Sequence, residues 1–308
     1  MLAIIAPGQG SQTPGFLTPW LEDKQFRDCL DSWSEAIDLN LIHLGTQAGA
    51  EEIRATANAQ PLIVGAGLLA MRALGKVNLS ATAGHSVGEI TAAVIAGVIS
   101  EHDAMTFVRE RGLAMAVAAA QSPTGMSAVL GGERENVLAV IASLGLIPAN
   151  DNGAGQIVAA GDLDALAKLG ENPPAGARVR PLAVAGAFHT PVMEPAVGHL
   201  GEFAATLSVK DPSMTIISNR DGASVVFGHV VLDRIVNQIA NPVRWDLCMA
   251  TLGDLGITAV LELPPAGTLV GLIKRALPGV ETLALKTPDD LDAARDLIAR
   301  HTESVEAL

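Results

Sequence analysis

The chain has 308 residues, of which 49% are hydrophobic and only 17% charged, with 31 Gly and no Tyr. A typical domain carries about 25% charged residues, so a sequence this apolar and this rich in small groups is built to bury a large core, and disorder is excluded. Lys and Arg total 20 against 33 Asp and Glu, a formal net charge of −13. Such a field repels phosphate and excludes general affinity for nucleic acid or anionic membrane, although not a local basic patch. The two cysteines, Cys29 and Cys248, stand far apart without metal-ligand or C-x-x-C spacing, so no disulfide framework and no metal site are expected. The first residues, Met-Leu-Ala-Ile-Ile-Ala, carry no basic leader. No apolar run approaches the ~20 residues of a membrane span. An unprocessed cytoplasmic protein is expected.

Short β-like runs alternate with longer helical ones, the texture of an α/β protein. Residues 2–6 read as a buried strand stopped by Pro7-Gly8-Gln9-Gly10. Helices are predicted over 26–39 and 59–74, the second with Pro61 at an early position where its missing N–H costs little. A strand at 81–84 leads to Ser86 and a helix from 87 to about 98, and a further helix covers 103–120. From Ser122-Pro123 the texture changes. Three short strands, 126–130, 156–160 and 178–183, are separated by helical stretches 134–144 and 163–169. That order suggests a small ferredoxin-like unit inserted into the larger domain. The α/β texture resumes with a helix after Pro195, a strand at 215–218, a helix at 232–240 and a strand at 259–263. Residues 287–308 read as an acidic helix and tail. The predicted organisation is a discontinuous large domain, 1–121 and 185–308, with a mostly parallel central sheet, interrupted by an inserted subdomain at 122–184.

Gly84-His85-Ser86-Val87-Gly88 matches G-x-S-x-G, in which two glycines permit a strained strand-to-helix turn that lifts a serine hydroxyl above the sheet. The next amide, on Val87, would lie at a helix N-terminus, suited to a developing oxyanion. A serine N-cap is the plainer reading of the same residues. Pro7-Gly8-Gln9-Gly10-Ser11-Gln12 offers the Gln9 amide as a second oxyanion donor, or is an ordinary glycine turn. Thr13 breaks G-x-G-x-x-G and no P-loop pattern occurs, so neither a dinucleotide nor a phosphate loop is present.

Seven histidines could serve as base. His85 adjoins Ser86 but should point away from it across the turn. His189, in Gly186-Ala187-Phe188-His189-Thr190-Pro191, should follow a strand end, where α/β folds gather functional residues; a hydrogen-bonded loop histidine is the alternative. Arg111 is flanked at helical spacing by Phe107, Val108, Ala114 and Met115. A guanidinium among apolar groups needs an anionic partner, either a ligand carboxylate or a protein acid such as Glu110.

Together these segments resemble the malonyl-CoA:acyl-carrier-protein transacylases of bacterial fatty-acid synthesis and the related acyltransferase domains of polyketide synthases. The landmarks are 7–12, Gln60-Pro61, 84–89, Arg111-Gly112, Gly125-Met126, 155–161, Phe188-His189, Asn241-Pro242-Val243-Arg244-Trp245 and Pro265-Ala266-Gly267. Their order and spacing run through essentially the whole chain. Two positions depart from the family pattern. Pro265-Ala266-Gly267 stands for the usual G-P-G, and Gly186 opens Gly186-Ala187-Phe188-His189 where malonyl-selective enzymes read H-A-F-H.

The resemblance implies a large α/β-hydrolase-like domain carrying a Ser–His dyad, with Ser86 acylated and His189 as general base. It further implies Gln9 and Val87 as oxyanion-hole amides, Arg111 as the partner of the malonyl carboxylate, and Gln238 as the residue whose backbone carbonyl orients the histidine. It implies malonyl-CoA and acyl carrier protein as partners, a monomer, and no cofactor, the coenzyme A thioester being a substrate. Both partners are anionic, so the global charge of −13 calls for a local basic rim, with Lys274 and Arg275 the leading candidates and Arg72, Lys76, Arg178 and Arg180 behind them. The main rival is an α/β-hydrolase-type serine esterase or thioesterase, whose Ser…Asp/Glu…His order Asp162 or Asp164 would satisfy. A non-catalytic carrier-binding scaffold is disfavoured because Ser86, His189 and Arg111 are all present.

Overall fold

A computed structural model of the chain describes residues 1–302. The first part holds β1 (Leu2–Ala6), α1 (Lys24–Ala36), α2 (Leu41–Thr46), α3 (Ala50–Arg54), α4 (Thr56–Leu74), β2 (Ala81–Gly84), α5 (Gly88–Ile95) and α6 (Glu101–Ala119). The middle holds β3 (Thr124–Gly131), α7 (Arg134–Ser143), β4 (Ile147–Asp151), β5 (Gln156–Asp162), α8 (Leu163–Glu171) and β6 (Ala177–Pro181). There follow α9 (Glu194–Ala204), β7 (Thr215–Ile217), β8 (Ser224–Val225), α10 (Gly228–Gln238), β9 (Val243–Arg244), α11 (Trp245–Asp254), β10 (Ala259–Glu262), α12 (Thr268–Ala276), β11 (Glu281–Ala284) and α13 (Leu291–Thr302). The expected tail beyond 302 lies outside the described residues.

Two mixed sheets result. The larger has six strands in the order β11-β10-β1-β2-β7-β8, parallel except for the β7–β8 pair. Its β1 is buried on both faces: Leu2, Ile4 and Ala6 pack into one hydrophobic cluster, Ala3 and Ile5 into another. That is why Leu2–Ala6 reads as an unbroken apolar run rather than an alternating one. The smaller sheet runs β6-β3-β5-β4-β9, antiparallel except for β4–β9. It covers its own cluster of Val129, Val137, Ile141, Ile157, Leu166 and Leu169.

Three sequence expectations are corrected. The middle segment has four strands of its own, not three, because β4, Ile-Pro-Ala-Asn-Asp, carries the wrong composition for a strand and is held by pairing with both β5 and β9. Helix α4 begins before Ala59, so Pro61 lies inside it. The N–H that Pro61 lacks would have met the Ala57 carbonyl, and the Arg109 guanidinium donates to that oxygen instead at 2.9 Å. Helix α10 spans Gly228–Gln238 rather than 232–240. Gln238 is therefore its last residue, with a carbonyl that has no partner within the helix.

Small residues allow close approach. A Cβ on Gly112 of α6 would lie 3.1 Å from the Thr56 carbonyl oxygen and 3.2 Å from the Ala57 Cα at the start of α4. The turn between β2 and α5 is tighter still: a Cβ on Gly84 would fall 1.9 Å from the Gly88 carbonyl carbon, and one on Gly88 2.2 Å from the Ala6 oxygen. Gly88→Ala is expected to destabilise the fold by about 3 kcal/mol or more, or to prevent soluble expression. Gly198→Ala, at an exposed helical position where a Cβ meets nothing within 4 Å, should gain a few tenths to about 1 kcal/mol. Equilibrium denaturation of the two variants checks both.

Candidate active site

Ser86 sits between β2 and α5 with φ of 53°, a left-handed conformation that costs energy in a non-glycine residue. Its Oγ is 2.8 Å from His189 Nε2 and does not cap α5, so the N-cap reading of the motif is set aside. His189 Nδ1 is 2.8 Å from the Gln238 backbone oxygen. A carbonyl can only accept, so Nδ1 carries the proton and Nε2 presents a lone pair to the serine hydroxyl. His189 itself has φ of 61°, and its N–H donates to the Ile239 carbonyl at 2.9 Å. The expectation that it follows the end of a strand is corrected. β6 ends at Pro181 and belongs to the smaller sheet; the C-terminus of α10 fixes His189 instead. Of the two triad acids a hydrolase reading offers, Asp162 caps α8 through the Asp164 and Ala165 N–H groups, and Asp164 lies exposed in the first turn of that helix. The orienting group on His189 is the carbonyl.

Burial, and after it the Arg111 charge, pushes the pKa of His189 down to about 3. A neutral imidazole is therefore the resting form. Arg111 is 1% exposed. Its Nη1 donates to Gln60 Oε1 at 2.6 Å and its Nη2 to Gln238 Oε1 at 2.8 Å, while Nε has no partner among the described residues. The salt bridge to Glu110 does not form; Glu110 pairs with His199 at 2.9 Å. Burial lowers the Arg111 pKa to about 10, and Glu89 opposes that shift. Two neutral amide oxygens thus fix a cation and leave its remaining N–H groups for a ligand oxygen.

A cavity of about 220 Å³ collects these groups: Gln9, Ser86, Val87, Arg111 and His189 all line it, together with Gln60, Asn150, Asn152 and the first turn of α12. The loop after β1 is held from two sides. Gln9 and Gln12 donate to the Arg54 and Ile53 carbonyls, and Ser11 bonds Thr268 at 2.8 Å. Neither the Gln9 nor the Val87 N–H has a hydrogen-bond partner among the described residues. Helix α12 is fastened by buried Glu262, which accepts the Gly267, Leu269 and Val270 N–H groups. Lys274 and Arg275 occupy the last turn of α12, exposed but outside the cavity lining. Arg72 is bound to Glu101 and stacked on Trp33.

Sequence reasoning leaves out several members of the site. Asn219 is fully buried: its Oδ1 accepts the Ser86 N–H at 2.8 Å and its Nδ2 donates to the Gly84 carbonyl at 2.7 Å, bracing the strained turn. Its neighbourhood, Ser218-Asn219-Arg220-Asp221-Gly222, reads as a plain surface turn. Glu89, 4% exposed, accepts from the Asn219 N–H at 2.6 Å and from Gln238 Nε2. Burial pushes its pKa up to about 8 against those bonds and the charges of Arg111 and Arg234. His85 turns away from Ser86 as expected and pairs with Asn152 at 2.8 Å across to the smaller sheet.

The acyl transferase domain family matches residues 4–292. The chain is 53% identical over 302 residues to the malonyl CoA-acyl carrier protein transacylase of Mycobacterium tuberculosis, covering 96% of this chain and 100% of that relative. It is 32% identical over 305 residues to the corresponding protein of Escherichia coli, covering 96% and 99%. Among solved structures, MCAT from M. tuberculosis superposes with a TM-score of 0.92 at 53% identity, covering 96% of this chain and 99% of that one. A malonyl-transacylase in complex with a type II PKS acyl-carrier protein superposes with a TM-score of 0.89 at 28% identity, covering 96% and 99%.

The depressed pKa of His189 has a sign for stability. Between about pH 3, its folded value, and about 6.5, its unfolded value, the native state binds fewer protons than the unfolded state, so stability falls as pH falls through that window. His85, also lowered by burial, acts in the same direction. Denaturation midpoints measured across that range should decline less steeply for His189→Gln than for the parent chain.

Proposed function

The chain belongs to the acyl transferase domain family, among the malonyl CoA-acyl carrier protein transacylases, and we propose that it works by a ping-pong route through a malonyl ester on Ser86. It transfers malonyl groups from malonyl-CoA to acyl carrier protein, supplying fatty-acid synthesis. The observation that carries the route is the single cavity in which Ser86, a neutral His189 and the Arg111 guanidinium meet.

In the first half, Ser86 Oγ attacks the thioester carbonyl and its proton passes to His189 Nε2. The imidazolium so formed keeps its Nδ1–H on the Gln238 carbonyl. The oxyanion takes hydrogen bonds from the Gln9 and Val87 amides, worth a factor of about 10²–10³ per donor in comparable sites. The tetrahedral adduct collapses, the C–S bond breaks, and Nε2–H returns its proton to the coenzyme A thiolate. In the second half, the carrier's pantetheine thiol gives its proton to Nε2 as it attacks the ester, and the proton returns to Ser86 as the C–O bond breaks. Arg111 holds the malonyl carboxylate throughout.

The β-α-β-β-α-β order of 122–184 and its strand order β6-β3-β5-β4 support reading that segment as a ferredoxin-like insertion into a discontinuous domain of 1–121 and 185–308. Lys274 and Arg275 are proposed to meet the acidic carrier: α12 begins at the cavity and carries them to the surface. Action as a monomer is part of this proposal. Two free cysteines support a reducing compartment such as the cytoplasm; among the described residues no helix is long and apolar enough to cross a membrane.

Incubation with malonyl-CoA alone should give one burst of coenzyme A and a malonyl adduct by intact mass, absent from Ser86→Ala; full turnover to free malonate would instead point to a hydrolase. Arg111→Ala should lose its preference for malonyl-CoA over acetyl-CoA by about 100-fold in kcat/KM, whereas an unchanged ratio would remove Arg111 from carboxylate recognition.

A further inference from the structure

Gln238 touches both working parts of the site. Its backbone oxygen accepts from His189 Nδ1 at 2.8 Å, and its side-chain Oε1 accepts from Arg111 Nη2 at 2.8 Å. A carboxamide can be seated in two orientations of nearly equal shape, and only its neighbours decide between them. Here the nitrogen end faces only acceptors: Glu89 Oε2, Asn219 Oδ1 at 3.1 Å and the Ser86 carbonyl at 3.3 Å. Asn219 cannot turn over to change this, because its own Nδ2 is committed to the Gly84 carbonyl and its Oδ1 to the Ser86 N–H. Glu89 is the one ionisable member of that set. With both oxygens accepting, it holds the Asn219 backbone through Oε1 and the Gln238 amide through Oε2.

We propose that Glu89 is a positioning residue for substrate selection: acting through the Gln238 amide, it sets the place and orientation of the Arg111 guanidinium and so sustains the preference for acyl groups that carry a carboxylate. This rests on the Arg111 reading above. Glu89 touches neither the serine hydroxyl nor the imidazole, and Glu89→Gln keeps an oxygen for the Asn219 N–H that supports the Ser86 turn, so its effect falls on selection between acyl groups. Arg111 and Arg234 supply the positive field around it, and Cys248 lies close enough to feel its charge. In Glu89→Gln, one carboxylate oxygen becomes an NH2 group. Set against the Gln238 nitrogen, it opposes donor to donor, and turning that amide over only moves the mismatch, placing Nε2 against Arg111 and Oε1 against the Asn219 and Ser86 oxygens; either way the seat of Arg111 is disturbed at a real cost in a buried site.

The test is a double-mutant cycle on single-turnover acylation by malonyl-CoA and acetyl-CoA. Glu89→Gln is expected to lower the malonyl-to-acetyl ratio of acylation rates about tenfold. Gln238→Met, which keeps the backbone carbonyl on His189 and removes the amide, should lower it similarly, and the double variant should fall no further, because the two act in series. Equal losses on both thioesters in Glu89→Gln, or additive losses in the double variant, would overturn the proposal. So would an unchanged ratio in Gln238→Met, which stands as a test even where Glu89→Gln does not fold. Arg111→Ala run alongside separates the two ideas: an unchanged ratio there defeats the carboxylate-binding role itself, whereas a lost ratio there with an intact one in Glu89→Gln defeats only the role of Glu89.

Discussion

The site depends on two backbone segments passing closer than any side chain allows. Where β1 and β2 end, the chain at Gly88 runs beside the Ala6 carbonyl and folds back on Gly84, so that a Cβ at either glycine would lie about 2 Å from a backbone atom. That approach drives Ser86 into its left-handed conformation and starts α5 at once, which presents the Val87 amide at a helix N-terminus. It also brings the loop leaving Ala6, with Gln9, to the same cavity. The strain at Ser86 is held by Asn219, which bonds the turn on both sides of the serine. The placement of Ser86, of the Gln9 and Val87 amides and of the buried Glu89 thus follows from one steric constraint.

Charge placement is what the proposed selectivity draws on. Three ionisable groups lie almost without water: a cation held by neutral amides, a carboxyl group fixed by N–H donors and pushed up by burial, and an imidazole kept neutral. Neutrality suits His189 to accept the serine proton, and the nearby Arg111 charge deepens it. On the proposed role of Arg111, a malonyl carboxylate would supply the anionic partner the protein withholds. An acyl group without one leaves a buried N–H unmet, at about 1–3 kcal/mol or more for a charged donor, a factor of roughly 5 to 150 in rate.

The chemistry was more legible than the architecture that supports it. Ser86 and the glycines around it announce themselves because a strained turn tolerates so few residue types. Arg111 stands out as a charge on an apolar face. Asn219 does not, since an asparagine in a turn-rich segment is what any surface loop shows, and its burial arises only when β7 pairs beside β2. Strand β4 escaped for a related reason: Pro148, Asn150 and Asp151 have poor strand propensity, and the pairing comes from β5 and the distant β9. Helices α11 and α12 were unmarked in the sequence; neither has a side-chain N-cap, and α12 is capped by Glu262 from the preceding strand. Local pattern reveals what a residue needs of its immediate neighbours, whereas these elements are made by contacts that sequence brings together late.

The parallel pairing of β4 with β9 has a mechanical consequence. A segment joined to its host only at its two ends can swing about the line through them. Residues 122–184 are also tied in mid-course, where Asn150 and Asp151 register against Val243 and Arg244 just after the helix that carries Gln238. The His85–Asn152 bond adds a second rivet beside the nucleophile. Rotation of the smaller sheet would tug on the very backbone that orients the imidazole. These two ties resist a swing of the smaller sheet across the mouth of the cavity, so both thioesters, one on a small nucleotide and one on a protein, would enter past the same edge.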